Sequence, residues 1–362
     1  MESKSATIAV IAGKETTSAT VSAALTSFYQ VASFLKPSSN RNDIAQSNPC
    51  AIIVDEFVPP CGGLTVISQL RADSRFNGVP IICMADFNRL PGDPRHIGAD
   101  EMLAKPFRRS QLVRMVSGLV SRKVEARWEK LPSGPREGLK RTVDLFNGVS
   151  ELIEKGEPLA YRDVQDACTP LIKSIHNQDF RHILGGVKGH DNYSYVHSLR
   201  VGTILSLFGY NMGLRGEDLC MLASGGLMHD IGKMFIPFEV LNKPGKLNDI
   251  EMQLMRSHVD RTSQYLKVCG TMPRGVAIIA EQHHEKLNGK GYPKGLTDLN
   301  ELARMAAIAD VFGALTDQRC YKPPMEPEEA LTLMTQQMKD ELDQHLLGLF
   351  REMLLDTARG CA

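Results

Sequence analysis

The chain has 362 residues, 43% hydrophobic and 23% charged, and its Lys and Arg balance its Asp and Glu; the length favours two domains and the composition is that of an ordinary globular protein. Zero net charge with no long basic run argues against nucleic acid or an anionic membrane as a partner, and no apolar run approaches the roughly 18–20 residues that span a bilayer. The apolar stretch Thr7–Gly13 is too short for an export signal, so the eight cysteines, scattered with no C-x-x-C pair, are expected as reduced thiols in a cytoplasm.

Residues 1–125 alternate between short apolar runs and helical patterns. Ala6–Ile11, Ala51–Val54 and Val79–Met84 suit the buried strands of a parallel sheet. A helical pattern such as Leu64–Leu70 lies between them, which predicts a doubly wound α/β domain. Asp55 ends one strand and is followed by Pro59 and Gly62-Gly63, and Gly98-Ala99-Asp100 leads to Lys105-Pro106-Phe107. On these residues the segment resembles a response-regulator receiver domain, of flavodoxin-like fold, with Asp55 at the phosphoacceptor position and Lys105 as its lysine. The acidic pair that holds Mg²⁺ in such domains is matched by Ala12 and Gly13, and the switch Ser or Thr by Met84. Met84 cannot donate a hydroxyl hydrogen bond. The resemblance therefore implies a pseudo-receiver in which Asp55 is a vestigial phosphoacceptor paired with Lys105. Glu56 is expected on the opposite side of the strand.

Residues 126–180 read as a helical connector. Lys130–Pro135, with two prolines and a glycine, marks a break. Leu139, Val143, Leu145, Phe146, Val149, Leu152 and Ile153 then recur at helical spacing, as a core stripe or a dimer seam. From 181 to 362 the pattern is helical, with helices predicted over Val201–Tyr210, Leu219–Met228, Ile250–Val268, Arg274–His284, Leu302–Thr316 and Pro327–Met338. Lys286–Asn300, rich in Gly, Asn, Asp and Pro, is a loop of the kind that carries function on a rigid scaffold.

Five of the ten histidines lie between positions 197 and 284. His229-Asp230-Ile231-Gly232-Lys233 is followed by a lone His258, then by His283-His284-Glu285 and Asn288-Gly289-Lys290-Gly291-Tyr292-Pro293, and finally by Asp310. Imidazoles next to carboxylates suit Fe, Mn, Zn or Ni, and a carboxylate can bridge two ions. Adjacent histidines late in an apolar helix are costly as mere core residues. Lys233, three residues after Asp230, falls on the same helical face.

On these motifs residues from about 185 to 340 resemble an HD-GYP domain, the branch of the HD phosphohydrolases that degrades cyclic di-GMP. The resemblance implies an all-α HD-domain helical bundle with two divalent first-row ions, Fe or Mn, alternatively Ni or Zn. One ion would take His197, His229, Asp230 and Asp310, and the other Asp230, His258, His283 and His284. Asp230 and Lys233 would carry catalysis, with Lys233 gripping a phosphate oxygen or placing the nucleophile. Arg319 and Lys322, with Gly291 and Tyr292 of the Gly-Tyr-Pro loop, would contact substrate; an Arg can fork onto phosphate or guanine. Glu285 would orient a ligand histidine. Asn288 stands where an Asp is usual and Thr262 where a Gly is usual. Tyr193 stands where some members hold a third metal with an acid. The implied protein is a cytoplasmic bacterial signalling phosphodiesterase that opens cyclic di-GMP to pGpG, with either pGpG or GMP as the end product. The alternatives are a hydrolase of cyclic GMP-AMP or a cyclic-dinucleotide sensor. A homodimer is expected, with a diguanylate cyclase or another signalling protein docking on the Gly-Tyr-Pro loop.

Overall fold

Five short strands form one parallel sheet in the first third of the chain: β1 Thr7–Ile11, β2 Gln30–Phe34, β3 Pro49–Asp55, β4 Ile81–Asp86 and β5 Glu101–Lys105. The computed structural model describes residues 7–26, 28–35, 41–86, 93–241, 243, 245–317 and 324–359. They divide into two compact units, one made of Lys4–Lys123 with the short segment Pro237–Lys243, the other of Val124–Ile236 and Pro244–Ala362. The strand order β2-β1-β3-β4-β5 is the flavodoxin-like order of doubly wound sheets. Alternate residues of the central strands feed two cores. Ile8, Val10, Ile53, Ile82 and Met84 pack with Leu112, Val113 and Val116, while Ala9, Ile11, Ile52, Val54 and Cys83 pack with Val66, Ile67 and Leu70. Burial on both faces makes these strands continuous apolar runs. Strand β2, QVASF, has no fully buried residue; it lies at the edge, and no apolar run marks it.

At the carboxyl ends of β3 and β5, Asp55 is 2% exposed and accepts from Lys105 Nζ at 2.9 Å. Glu56 does not point away. The strand ends at Asp55, so the chain turns and brings Glu56 Oε1 to 3.2 Å from the same ammonium. Burial opposes charge on Lys105, but the two carboxylates prevail and raise its pKa. No carboxylate can be added from position 13, because a Cβ on Gly13 would lie 2.3 Å from the Phe57 carbonyl oxygen. Glu15 is exposed in the first turn of the helix Glu15–Leu25.

The second unit is helical. Its helices include Ser133–Lys155, Tyr161–His176, Tyr193–Asn211, Gly216–Met228, Asp249–Arg256, His258–Cys269, Arg274–Gln282, Glu301–Thr316, Pro327–Gln337 and Gln344–Arg359. The stripe Leu139, Val143, Phe146 and Val149 is buried in one cluster with Tyr195, Leu199 and Leu227. Tyr195 OH also donates to the Leu139 carbonyl at 3.1 Å. At about 1.5–3 kcal/mol for each large buried side chain, this packing outweighs what a loosely attached spacer would retain. Residues 126–180 therefore share the core of the helices that follow them. A second cluster joins Phe208, Phe312 and Phe350. No described helix is long and apolar enough to cross a membrane.

Candidate metal centre

Five helices and one tight turn bring the histidines and aspartates together. His197 lies in the second turn of Tyr193–Asn211, whose start is capped by Asn192 Oδ1 accepting from Tyr195 N. The helix Gly216–Met228 stops before His229, and Asp230 heads a 3-10 turn, Ile231–Phe235. The predicted helix over Ile250–Val268 is two helices that meet at Ser257. The Ser257 hydroxyl donates to the Leu254 carbonyl at 2.6 Å, competing with the ladder, and His258 then opens the second helix. His283 and His284 follow Arg274–Gln282, and Asp310 lies within Glu301–Thr316.

The turn carrying Asp230 is clamped to the His258 helix. Gly232 N donates to Thr262 Oγ1 at 2.9 Å, and that hydroxyl donates to the His258 carbonyl at 2.8 Å. Thr262 thus satisfies a buried amide that a glycine there would leave unmet. A Cβ on Gly232 would lie 2.0 Å from the His258 carbonyl oxygen. Gly232→Ala is therefore expected to destabilise the second unit by about 1–3 kcal/mol, seen as a lowered midpoint in thermal denaturation.

Asp230 presents one oxygen to each of two groups. Its Oδ1 lies 3.1 Å from His258 Nε2 and 3.8 Å from His283 Nε2. Its Oδ2 lies 3.2 Å from His229 Nε2 and 3.7 Å from His197 Nε2. Asp310 Oδ1 lies 2.8 Å from His197 Nε2 and 3.8 Å from His229 Nε2, while its Oδ2 lies 3.7 Å from His284 Nδ1. Ligand atoms of Asp230, His258, His283 and His284 fall within 4.8 Å of one another, as do those of His197, His229 and Asp230. The seven residues expected from the sequence therefore converge.

The donor set fits metal ions. His229, His258 and His283 each turn Nδ1 toward a backbone carbonyl, of Gly226, Met255 and Ala280. That hydrogen bond leaves Nε2 as the lone-pair nitrogen. These three Nε2 atoms and Asp230 Oδ1 are buried without a hydrogen-bond partner among the described residues. Unpaired buried polar atoms are costly, and these four, divided between the two ligand clusters that meet at Asp230, match the needs of cations there.

The electrostatics agree. Burial opposes charge on Asp230, but His229 and Lys233 prevail and hold its carboxyl well below the usual range; His197 and His229 do the same for Asp310. Burial also opposes charge on His229, yet the two aspartates carry its pKa up to about 10. His283 falls to about 3, through burial and then the neighbouring His229, and His284 falls well below its ordinary value through burial and His283. The two aspartates thus favour positive charge at His229, while the paired histidines stay neutral, as ligands must be.

Around this centre, Lys233 forms an ion pair with Asp230 Oδ2 through the 3-10 turn rather than an α-helix, because Lys233 N donates to Asp230 O. Tyr292 stacks on His284, with centroids 4.6 Å apart and planes at 29°, and Arg256 lies over the Tyr292 ring at 5.1 Å. Gly291 does not take a left-handed conformation. Its small size is what counts, since a Cβ would meet Glu285 Cα at 2.5 Å. Glu285 holds the loop rather than a histidine: its carboxylate accepts from Lys294 N and Leu296 N at 2.7 and 3.0 Å. Asn288 Oδ1 accepts from Lys290 N, a local turn that an Asp would make equally well. Arg319 and Lys322 lie outside the described residues. No local motif marks Arg256, two residues before His258, or Asp317, which follows the last residue of the Asp310 helix.

Residues 189–346 match the family model described as an HD domain, so the second unit carries an HD domain. The chain is 37% identical over 152 residues to a cyclic di-GMP phosphodiesterase of Pseudomonas aeruginosa, covering 41% of this chain and 37% of that one. It is 36% identical over 153 residues to the 3'3'-cGAMP-specific phosphodiesterase 1 of Vibrio cholerae, covering 41% of this chain and 35% of that one. A longer match, 27% identical over 290 residues, is to the cyclic di-GMP phosphodiesterase response regulator RpfG of Xanthomonas campestris, covering 78% of this chain and 70% of that one. The chain spans just over a third of the length of the first curated relatives it matches.

Proposed function

We propose that the HD domain is a two-metal phosphodiesterase that hydrolyses cyclic di-GMP to pGpG and onward to GMP in the bacterial cytoplasm. The observation that carries this is Asp230, whose two oxygens face two separate histidine groups, together with relatives named for that activity. His197, His229, Asp230 and Asp310 would hold one ion, and Asp230, His258, His283 and His284 the other. Fe or Mn fits this mixed imidazole and carboxylate set, with Ni or Zn as alternatives. When bound, two such ions supply a water acidic enough to ionise near neutrality and offset charge developing at phosphorus. The chain's own residues do the rest. The Nδ1 hydrogen bonds of His229, His258 and His283 fix the rings. Lys233, anchored on Asp230 and 19% exposed, offers its remaining N–H groups to a phosphate oxygen. Burial raises the Tyr292 pKa, so its hydroxyl stays a neutral donor toward substrate beside Gly291. Arg319 and Lys322 would complete the contacts to phosphate or guanine.

The test is turnover: purified protein loaded with Mn or Fe is expected to open cyclic di-GMP, and no product from a fully loaded protein would contradict the reading. A second reading, hydrolysis of cyclic GMP-AMP, is favoured by the name of the Vibrio relative. Competition between the two dinucleotides separates them. A homodimer and a signalling partner on the Gly-Tyr-Pro loop complete the proposal.

We assign residues 1–125 as a pseudo-receiver, 126–180 as the helical segment after it, and 181–362 as the hydrolase. Phosphoryl transfer to Asp55 needs a divalent ion, and Asp55 is occupied by Lys105 while Gly13 has no room for a carboxylate. Acetyl phosphate with Mg²⁺ is therefore expected to leave the mass of the intact chain unchanged. A stoichiometric gain of one phosphoryl group at Asp55 would overturn this assignment.

A further inference from the structure

We propose that Asp317 is a positioning residue for the metal centre, acting through His197 and itself held by Arg200; the proposal rests on the two-metal reading. Asp317 is 5% exposed, and its Oδ2 accepts from His197 Nδ1 at 3.1 Å. The opposite ring nitrogen, Nε2, faces Asp310 Oδ1 and Asp230 Oδ2. The other Asp317 oxygen is ion-paired with Arg200 Nε, and Arg200 also donates to Thr316 Oγ1 at 3.2 Å. His197 differs here from the other buried ligand histidines. His229, His258 and His283 donate Nδ1–H to backbone carbonyls within their own turns, whereas His197 uses a carboxylate from the end of the helix Glu301–Thr316. Gly313, one turn before Asp317, lies beside the ring, since a Cβ there would be 3.2 Å from Val201 Cγ2 and 3.7 Å from His197 Nδ1, and it carries no group that could accept from the ring.

The chemistry of this arrangement is specific. A carboxylate accepting from Nδ1–H fixes the tautomer with the lone pair on Nε2, prevents rotation of the ring and raises the basicity of the ligating nitrogen. Arg200 pairs with the other Asp317 oxygen, so the buried carboxylate has a counter-charge beside it. A carbonyl fixes the same tautomer with a weaker dipole. The ion shared by His197, His229, Asp230 and Asp310 is therefore the one whose affinity depends on a charged group outside the ligand set.

The experiment is metal counting on the full chain, equilibrated with Mn²⁺ and then dialysed against a graded series of chelator concentrations. Asp317→Asn keeps the shape and replaces the charge. It is expected to lose one of two ions at roughly 10–100-fold lower chelator concentration than the parent, with the second ion and the melting temperature of the metal-stripped protein unchanged. His197→Ala serves as reference and is expected to lose the same ion. If His197→Ala loses an ion and Asp317→Asn holds both as tightly as the parent, the positioning role is overturned. If His197→Ala also holds two, the ligand scheme fails and the proposal with it. Should Asp317→Asn not fold, Arg200→Lys provides the second variant: it keeps the charge but loses the guanidinium fork, and a weakened single ion supports the proposal while unchanged affinity overturns it.

Discussion

Replacing Asp230 by Ala is expected to remove both metal and turnover, lowering kcat/KM for cyclic di-GMP by roughly a thousandfold or more. The estimate follows from the several kcal/mol of transition-state stabilisation that metal ions supply, at ~1.4 kcal/mol for each factor of ten. Asp230 is 2% exposed, and each of its oxygens faces a different histidine group, so no neighbouring side chain can take its place. Asp310 approaches His197, His229 and His284 but is not among the close partners of His258 and His283. Asp230→Asn should be intermediate, because an amide oxygen can serve one ion while its NH₂ group cannot serve the other. Elemental analysis beside steady-state kinetics checks both variants, and full metal content in Asp230→Ala would refute the ligand scheme.

Stripping the ions is expected to abolish turnover and to reshape the pH dependence of stability. In the metal-free protein the His229 pKa is raised to about 10 from 6.5. A raised pKa contributes stability that is fully present below pH 6.5 and is lost as pH rises toward 10. At ~1.36 kcal/mol per pH unit, about 2 kcal/mol should disappear between pH 6.5 and 8. His283 and His284 are lowered from 6.5, so below that pH the unfolded chain binds protons that the folded chain refuses, and stability falls on acidification. Asp230 and Asp310 are also lowered; their contribution is present above pH 3.8 and is lost as pH falls below it. Metal-free protein should therefore be most stable near pH 6.5. Loading metal displaces the His229 proton, so the alkaline loss should vanish and binding at pH 8 should release protons. Thermal melts across pH 5–9 with and without chelator test this, and identical pH profiles in the two forms would exclude His229 as a ligand.

Much of this was legible in the sequence, for identifiable reasons. Strands buried on both faces become apolar runs, so β1, β3 and β4 were visible, whereas edge strand β2 buries too little to leave one. The seven ligand candidates were legible because the His229–Lys233 and His283–Pro293 motifs carry a family resemblance that implies them. What stayed hidden depends on contacts distant in sequence. Glu285 reads as a partner for a ligand histidine, yet it holds the backbone nine and eleven residues on. Gly291 reads as a substrate contact, and nothing local shows that its small size also makes room against Glu285. Glu56 reads as pointing away from Asp55 because alternation assumes that the strand continues, and it does not. Asp317 and His197 are 120 residues apart, and nothing local in either segment announces the pair.

The most direct test of the central claim is an anomalous-scattering map from crystals of the Mn-loaded protein. Two peaks are expected, roughly 3.5–4 Å apart. One should touch His197, His229, Asp230 and Asp310, and the other Asp230, His258, His283 and His284, with Asp230 common to both. A single peak at full loading, or two peaks that do not share Asp230, would contradict the account.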